Sequence, residues 1–187
     1  MPSTEGRGPQ PELTGSRVRL RPWREGDVDA VLAACHDPEI QRWTEVPVPY
    51  LRAHAEGFVG ELAARTWAEG GAQFAVETRD GAALTGAMTL FPPRGGVGVG
   101  GYWTVAGQRG HGYTAEALRL LCGWAFGTVG LRRMELVVDS RNDGSRRVAE
   151  GAGFLAEGTL RQRSLNRGNP VDDVIYGLLA TDRRLDG

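Results

Sequence analysis

The sequence contains no lysine: all 22 of its basic residues are arginine. No lysine of this chain can therefore serve as a Schiff-base nucleophile or accept an acyl group. Cysteine is almost as scarce, with only Cys35 and Cys122 in 187 residues. Two cysteines in apolar surroundings exclude a disulfide scaffold and read as buried thiols, so a cytoplasmic setting is expected. The three histidines, His36, His54 and His111, have no metal-ligand spacing with one another or with the cysteines, and no metal is expected. No apolar run is long enough to span a membrane. A net charge of −1 provides no basic surface for nucleic acid or an anionic membrane, so neither is expected as a partner. Residues 1–15 are polar and rich in Pro and Gly, without the apolar stretch of a secretion signal. They read as a disordered lead-in. Residues 16–187, of ordinary globular composition, are then expected to form a single domain.

What is present is a clear alternation of periods. From Arg17 to Trp23, Val18 and Leu20 fall on one side and Arg17, Arg19 and Arg21 on the other, as in a half-buried strand. A helix is predicted from about Asp27, whose carboxylate suits a helix start, to about His36. Pro38 then interrupts the chain, and 38–49 reads as irregular. Ala55, Phe58, Val59, Leu62, Ala63 and Thr66 keep a helical stripe over 50–67, ended by Gly70-Gly71. Strands are predicted over 74–78 and 84–91, joined by an Arg79-Asp80-Gly81 turn, and over 96–105. A glycine loop leads into a helix with Leu118, Leu121, Cys122, Ala125 and Phe126 on one face, stopped at Gly130. Residues 134–138 read as a central strand, 143–152 as a short helix, and 154–160 and 174–179 as two more strands. The order β-α-α-β-β-β-α-β-α-β-β gives an α/β class. Antiparallel hairpins on both sides of one β-α-β crossover make the sheet mixed, with helices on its faces.

The loop Gln108-Arg109-Gly110-His111-Gly112-Tyr113-Thr114 lies between a strand and a helix. Glycine permits a left-handed backbone and close approach of N–H groups to a ligand, and the helix start adds free N–H groups and partial positive charge. Such a loop suits a diphosphate. Two glycines alone are weak evidence for this, since a plain strand-to-helix turn also accounts for them.

The surrounding residues add to this. Gly101-Tyr102-Trp103, followed by Gln108 to Leu118, resembles motif A of the GNAT N-acetyltransferases. It is most similar to the RimJ/RimL branch, which acetylates protein N-termini and related amines. Asn142-Asp143-Gly144-Ser145, Gly153-Phe154, Asp172 to Tyr176 and Arg19 to Trp23 extend the resemblance over nearly the whole chain. The resemblance implies the GNAT acyl-CoA N-acyltransferase fold, a splayed mixed sheet flanked by helices. Acetyl-CoA would be the co-substrate, held between the strands ending near Val105 and Val138. The second partner would be an amine acceptor, a protein N-terminus or a small molecule, and homodimers are common in the family. On matching positions the resemblance assigns Trp103, Gln108, Arg109, Gly110, His111, Gly112, Tyr113, Thr114, Asn142 and Arg146 to acetyl-CoA. Trp43, Glu45 and Tyr102 fall on the acceptor side.

The chain departs from the family pattern at three places. Thr114 stands where motif A ends in Gly or Ala, and its hydroxyl is expected to donate to a phosphate rather than its methyl to obstruct one. Ala149 stands where many members place a catalytic Tyr, which leaves Ser145 as the candidate acid for the thiolate leaving group. Ser164 stands where some RimL-like enzymes carry a Glu base. His111, Glu116, Glu45 and Asp173 remain as candidate bases, each with an ordinary structural explanation. A site without a strong base suits an acceptor of low pKa, so an α-amine or a small low-pKa amine is expected rather than lysine. The alternatives are an N-acyltransferase for an antibiotic, polyamine or amino acid, and a non-catalytic acyl-CoA-binding module. A nucleotide-binding domain is disfavoured because the loop lacks the Gly-Lys-Ser/Thr ending of a P-loop.

Overall fold

The computed structural model describes residues 8–182. Eight strands form one sheet in the order β1-β2-β3-β4-β5-β6-β8-β7. They are β1 (Leu13–Thr14), β2 (Val18–Pro22), β3 (Ala72–Thr78), β4 (Leu84–Leu90), β5 (Val97–Thr104), β6 (Arg133–Asp139), β7 (Leu155–Asn166) and β8 (Asn169–Leu179). Neighbouring strands are antiparallel except β5 and β6, which run parallel. The helices are α1 (Val28–Cys35), α2 (Pro38–Trp43), α3 (Arg52–Gly57), α4 (Ala63–Ala68), α5 (Tyr113–Gly127) and α6 (Asp143–Gly151). This is the mixed sheet with flanking helices that the sequence pattern predicts.

Strand alternation divides the interior into two cores. Phe74, Val76, Met88 and Leu90 turn to one face and meet Leu118, Leu121 and Cys122 of α5 and Ala149 of α6. Ala75 and Ala87 turn to the other and meet Val31 and Cys35 of α1, Tyr50, Ala55 of α3 and Val59 just beyond it. The α5 stripe read from the sequence is the one buried, and both cysteines are buried free thiols.

Four elements differ from expectation. The disordered lead-in does not hold for residues 8–15, and residues 1–7 lie outside the described residues. Leu13–Thr14 pairs with Leu20 and Arg19, and Gln10 Nε2 donates to Gln73 O at 2.8 Å. Residues 38–43 are helical rather than irregular: Asp37 caps α2 by accepting from Glu39 N and Ile40 N, with Pro38 at the first position. The helix predicted over 50–67 is α3 and α4 joined by a wider π turn, Phe58–Leu62. The last two strands are longer than predicted and form an arm. Its tip turns at Arg167 (φ 49°) and Gly168 (φ 82°), the paired left-handed backbone of a tight hairpin.

A buried ion network ties the start of the sheet together. Arg21 donates to Glu77 at 2.7 Å and to both Asp27 oxygens at 2.8 Å, and Arg19 also reaches Glu77. The Arg21 and Glu77 side chains are each 7% exposed, so neither charge can turn to water for solvation. Burial alone would raise the Glu77 carboxyl, but the two guanidiniums outweigh it and hold the pKa below the ordinary range. Removing one partner strands a buried charge, and Glu77→Gln is expected to cost about 3 kcal/mol or more near neutral pH. A depressed folded pKa gives stability that is complete above the unfolded value and is lost as pH falls through the folded one. The gap between wild type and Glu77→Gln, read from urea unfolding, should therefore narrow between about pH 7 and about pH 3.

Candidate active site

The parallel pairing of β5 and β6 is short. It joins Val97 to Arg133, Gly98 to Met134 and Val99 to Glu135, while β5 continues to Thr104 and β6 to Asp139. Beyond Val99 the strands part. Val99 O accepts from Phe91 N, and Val105 N donates to Thr85 O. Odd-numbered residues of β5 thus spend their backbone groups on β4, and Gly100, Tyr102 and Thr104 turn theirs into the gap. A cleft of about 1470 Å³ runs through this gap, between the loop before α5, the start of α6 and the α2–α3 segment.

At one end of the cleft is the glycine loop. Gly110 (φ 79°) and Gly112 (φ 75°) are both left-handed, and Gly112 is the residue from which α5 starts. Among the described residues, no acceptor is present for the backbone N–H groups of residues 110–115, and the first helical bond is Glu116 N to Gly112 O. Six successive free donors at the positive end of a 15-residue helix make a cradle for an anion. Glu116 holds this helix start to the sheet: its carboxylate accepts from Ser16 Oγ, Arg17 N and Arg17 Nε at 2.8–3.0 Å. Glu116 is thus spent on structure and is not available as a base.

The loop and helix side chains assigned to the cofactor from the sequence take different directions. The Arg109 guanidinium pairs with Asp37 at 2.7 Å, so that residue faces the cleft through its main chain and ties the loop to the cap of α2. The Arg109 hydrogen bond in turn holds the Asp37 carboxyl below its usual range. His111 is exposed, stacks on Tyr113 with ring centroids 5.5 Å apart, and does not line the cleft. The neighbouring α5 residue Thr114 does line it, but its hydroxyl shares a 2.7 Å hydrogen bond with Thr104 of β5. Arg146 also stays out of the cleft. It turns to Tyr176 Oη and to Asp143, and its neighbour Arg147 lines the cleft instead.

Where β5 and α6 face each other, two hydroxyls meet. Tyr102 Oη lies 2.8 Å from Ser145 Oγ and donates to Ser145 O at 3.1 Å. Asn142 sets this geometry by capping α6, its Oδ1 accepting from Ser145 N at 3.0 Å. Burial pushes the Tyr102 phenol up to about 12, against the pull of the Ser145 bond, so it stays protonated at neutral pH. The sequence placed Tyr102 on the acceptor side; its side chain faces α6, because alternation along β5 sends Trp103 to the opposite core. Trp103 stacks on Trp23 at 6.3 Å while still lining the cleft.

The other wall carries Trp43 and Glu45. Trp43 Nε1 donates to Glu39 at 2.9 Å, and Arg42 lies over its ring. Five carboxylates line the cleft. Glu39 takes Trp43, Glu61 faces Arg65 at 3.7 Å, Asp139 holds Arg141, and Asp143 faces Arg146 at 3.8 Å. Glu45 is exposed and has no such partner among the described residues. His54 also lines the cleft, but its Nδ1 accepts from Leu51 N, which leaves the proton on Nε2 in the neutral ring. Ser164 and Asp173 bond each other at 3.0 Å away from the cleft. Among the described residues no group of three or more His, Cys, Asp or Glu could hold a metal ion.

The comparisons agree with this geometry. Residues 17–155 match the acetyltransferase (GNAT) domain family, and the chain belongs to that family. It is an N-acetyltransferase, as its curated relatives are named. YoaA of Bacillus subtilis, an uncharacterized N-acetyltransferase, is 26% identical over 174 residues, covering 90% of this chain and 97% of the relative. The structure of Mycobacterium smegmatis RimJ in complex with CoA-disulfide superposes with a TM-score of 0.77 at 26% identity, covering 89% of this chain and 84% of that one. RimL, the ribosomal L7/L12 α-N-protein acetyltransferase in complex with coenzyme A, gives 0.81 at 17% identity over 90% and 98% of the two chains. At that identity the likeness to RimL speaks for the fold alone.

The left-handed turn at Gly112 is testable without any ligand. A Cβ there would be strained by the backbone and would sit 3.3 Å from Arg17 Nη2. Gly112→Ala should destabilise the protein by about 1–2 kcal/mol. Gly107→Ala, with open space around its Cβ, should stay within about 0.5 kcal/mol of wild type in the same urea titration.

Proposed function

We propose that the enzyme transfers the acetyl group of acetyl-CoA to an α-amine, most simply a protein N-terminus, or to a small amine of comparably low pKa. The observation that carries the first half is the run of free N–H groups from Gly110 to Ala115, which opens into the gap between β5 and β6. The CoA diphosphate belongs on those donors. The pantetheine arm follows the gap, where it takes the place of the missing strand neighbour beside the unpaired backbone groups of β5. The thioester then reaches the point where Tyr102 and Ser145 meet.

The reaction needs three services. The Tyr102 N–H, turned into the gap, donates to the thioester oxygen as it becomes an oxyanion. The amine nitrogen attacks the carbonyl carbon, the C–N bond forms and the C–S bond breaks. The departing thiolate takes a proton from Ser145 Oγ, Tyr102 resupplies Ser145 across their 2.8 Å contact, and the proton given up by the amine restores Tyr102 through water. The amine proton leaves through water, because, of the cleft's acidic and imidazole side chains, Glu39, Glu61, Asp139, Asp143 and His54 already have partners and Glu45 alone has none among the described residues.

That shortage of bases supports the acceptor class. An α-amine has a pKa near 7.7–8.0 and a lysine amine near 10.4, so the reactive fractions differ by roughly 300-fold near neutral pH. That is about 3.4 kcal/mol of barrier.

Matched peptides, one blocked at the α-amine and one at a lysine amine, test the acceptor. The peptide with a free α-amine should be acetylated faster, by at least about 10-fold, and preference for the lysine amine would sink the assignment. Ser145→Ala should lower kcat by about 10-fold or more on the same peptide while leaving CoA binding intact. The Thr104–Thr114 pair uses one O–H in its hydrogen bond and leaves the other free to donate to a phosphate. Thr114→Ala should therefore weaken CoA binding by up to about 10-fold in calorimetry, and tighter binding would identify the methyl as an obstruction.

A further inference from the structure

The β7–β8 arm is exposed along β7 and projects its tip away from the cores. The tip does not end in solvent. Arg167 Nε donates to Gln41 O at 3.0 Å, and Nη2 donates to the same oxygen, to Val46 O at 3.1 Å and to Thr44 O at 3.5 Å. Asn166 Nδ2 donates to Arg42 O at 3.0 Å. All four acceptors lie within residues 41–46, the end of α2 and the segment that carries Trp43 and Glu45 on the cleft wall.

Residues 41–44 are also held from α1 and α2, by Gln41 Nε2 donating to Cys35 O at 2.9 Å and Thr44 Oγ1 to Ile40 O at 2.6 Å, but residues 45–49 have less. Pro47 and Pro49 have no N–H to donate. Among the described residues, the hydrogen bond from Arg167 to Val46 O is the only one made to the backbone of residues 45–49. On the far side the next anchor is Tyr50 O, bonded to His36 Nε2 at 2.9 Å. A guanidinium suits this task. Its donors spread in a rigid planar fork that can span several carbonyls, and it is charged at every working pH. A lysine ammonium would lose the Nε bond to Gln41 O and would have to make every remaining contact from the end of a flexible stem.

We propose that Arg167 is a positioning residue for the acceptor side: the hairpin tip clamps residues 41–46 and so fixes where the incoming amine lies against the thioester. The proposal rests on reading this cleft as the acetyl-transfer site. It places a determinant of acceptor use at the end of an arm, remote in sequence from the segment it controls and separate from the acetyl-CoA loop.

The test compares Arg167→Ala, Arg167→Lys and, as a control on the same arm, exposed Arg161→Ala. Amide hydrogen exchange over residues 41–51 should quicken in both Arg167 variants and stay at the wild-type rate in Arg161→Ala. With the peptide that the wild type acetylates best, KM for the peptide should rise by about 10-fold or more in both Arg167 variants, with KM for acetyl-CoA changed less than about two-fold. Unchanged exchange over 41–51, or equal rises in both KM values, would overturn the clamp. Full rescue by lysine would show that charge rather than the fork is responsible, and would overturn it as well. If no amine is acetylated, the functional reading fails, and the exchange rates still decide whether Arg167 holds the wall.

Discussion

The architecture turns on an interaction that stops early. β5 and β6 pair over three residues and then part, although each strand runs on for several more. Unpaired backbone in a sheet interior is costly, since each orphaned N–H or C=O has lost water without gaining a partner. Here the cost is relieved because the parted edges face a cleft. The same edges are then free to receive an extended ligand arm as if it were a strand. Everything else around the site keeps that gap open and furnished. β4 and β8 hold the outer edges of the two strands, α5 and α6 seal one face, and the helices from α1 to α4 build the other.

The two ends of the cleft are made by different means. The diphosphate end is made of main chain: two left-handed glycines and a helix start, anchored by Glu116 to the beginning of β2. Its donors are fixed by backbone geometry and need no side chain to supply charge. The reacting end is made of side chains, with Tyr102 from β5 and Ser145 from α6 brought within hydrogen-bond reach by the Asn142 cap. Ala149, fully buried one turn further along α6, leaves no room there for the tyrosine that many relatives carry. A phenol reaches the neighbourhood from the opposite strand instead.

Most of the sheet was legible because its strands have one face in each core, and the alternation shows in the residues themselves. The α5 stripe was legible for the same reason at helical period. The outer half of β7 was not, since a strand exposed along its length has no hydrophobic alternation to read, and in the outer part of β8 the inward positions are only Val171 and the polar Asp173. Six-residue α2 was too short to show a period, although Asp37-Pro38 is a helix-start pair that could have been used. At the site, the glycine loop was readable because left-handed backbone is a local demand. The directions of Arg109 and Arg146 were not, because Asp37 and Tyr176, which capture them, are distant in sequence. Tyr102 was named as a site residue, but the side it faces follows from register, which one strand alone does not reveal.

The ion pair between Arg109 and Asp37 joins two regions that handle different substrates. One partner belongs to the loop that receives the diphosphate, and the other caps the helix leading to Trp43 and Glu45. A shift of the loop on ligand binding would reach that cap through this charged contact, without passing through the sheet. Linkage makes the transmission symmetric: whatever factor acetyl-CoA imposes on acceptor affinity, the acceptor imposes on acetyl-CoA. The strength of that mutual effect is thus a property that a single surface-level ion pair is placed to set.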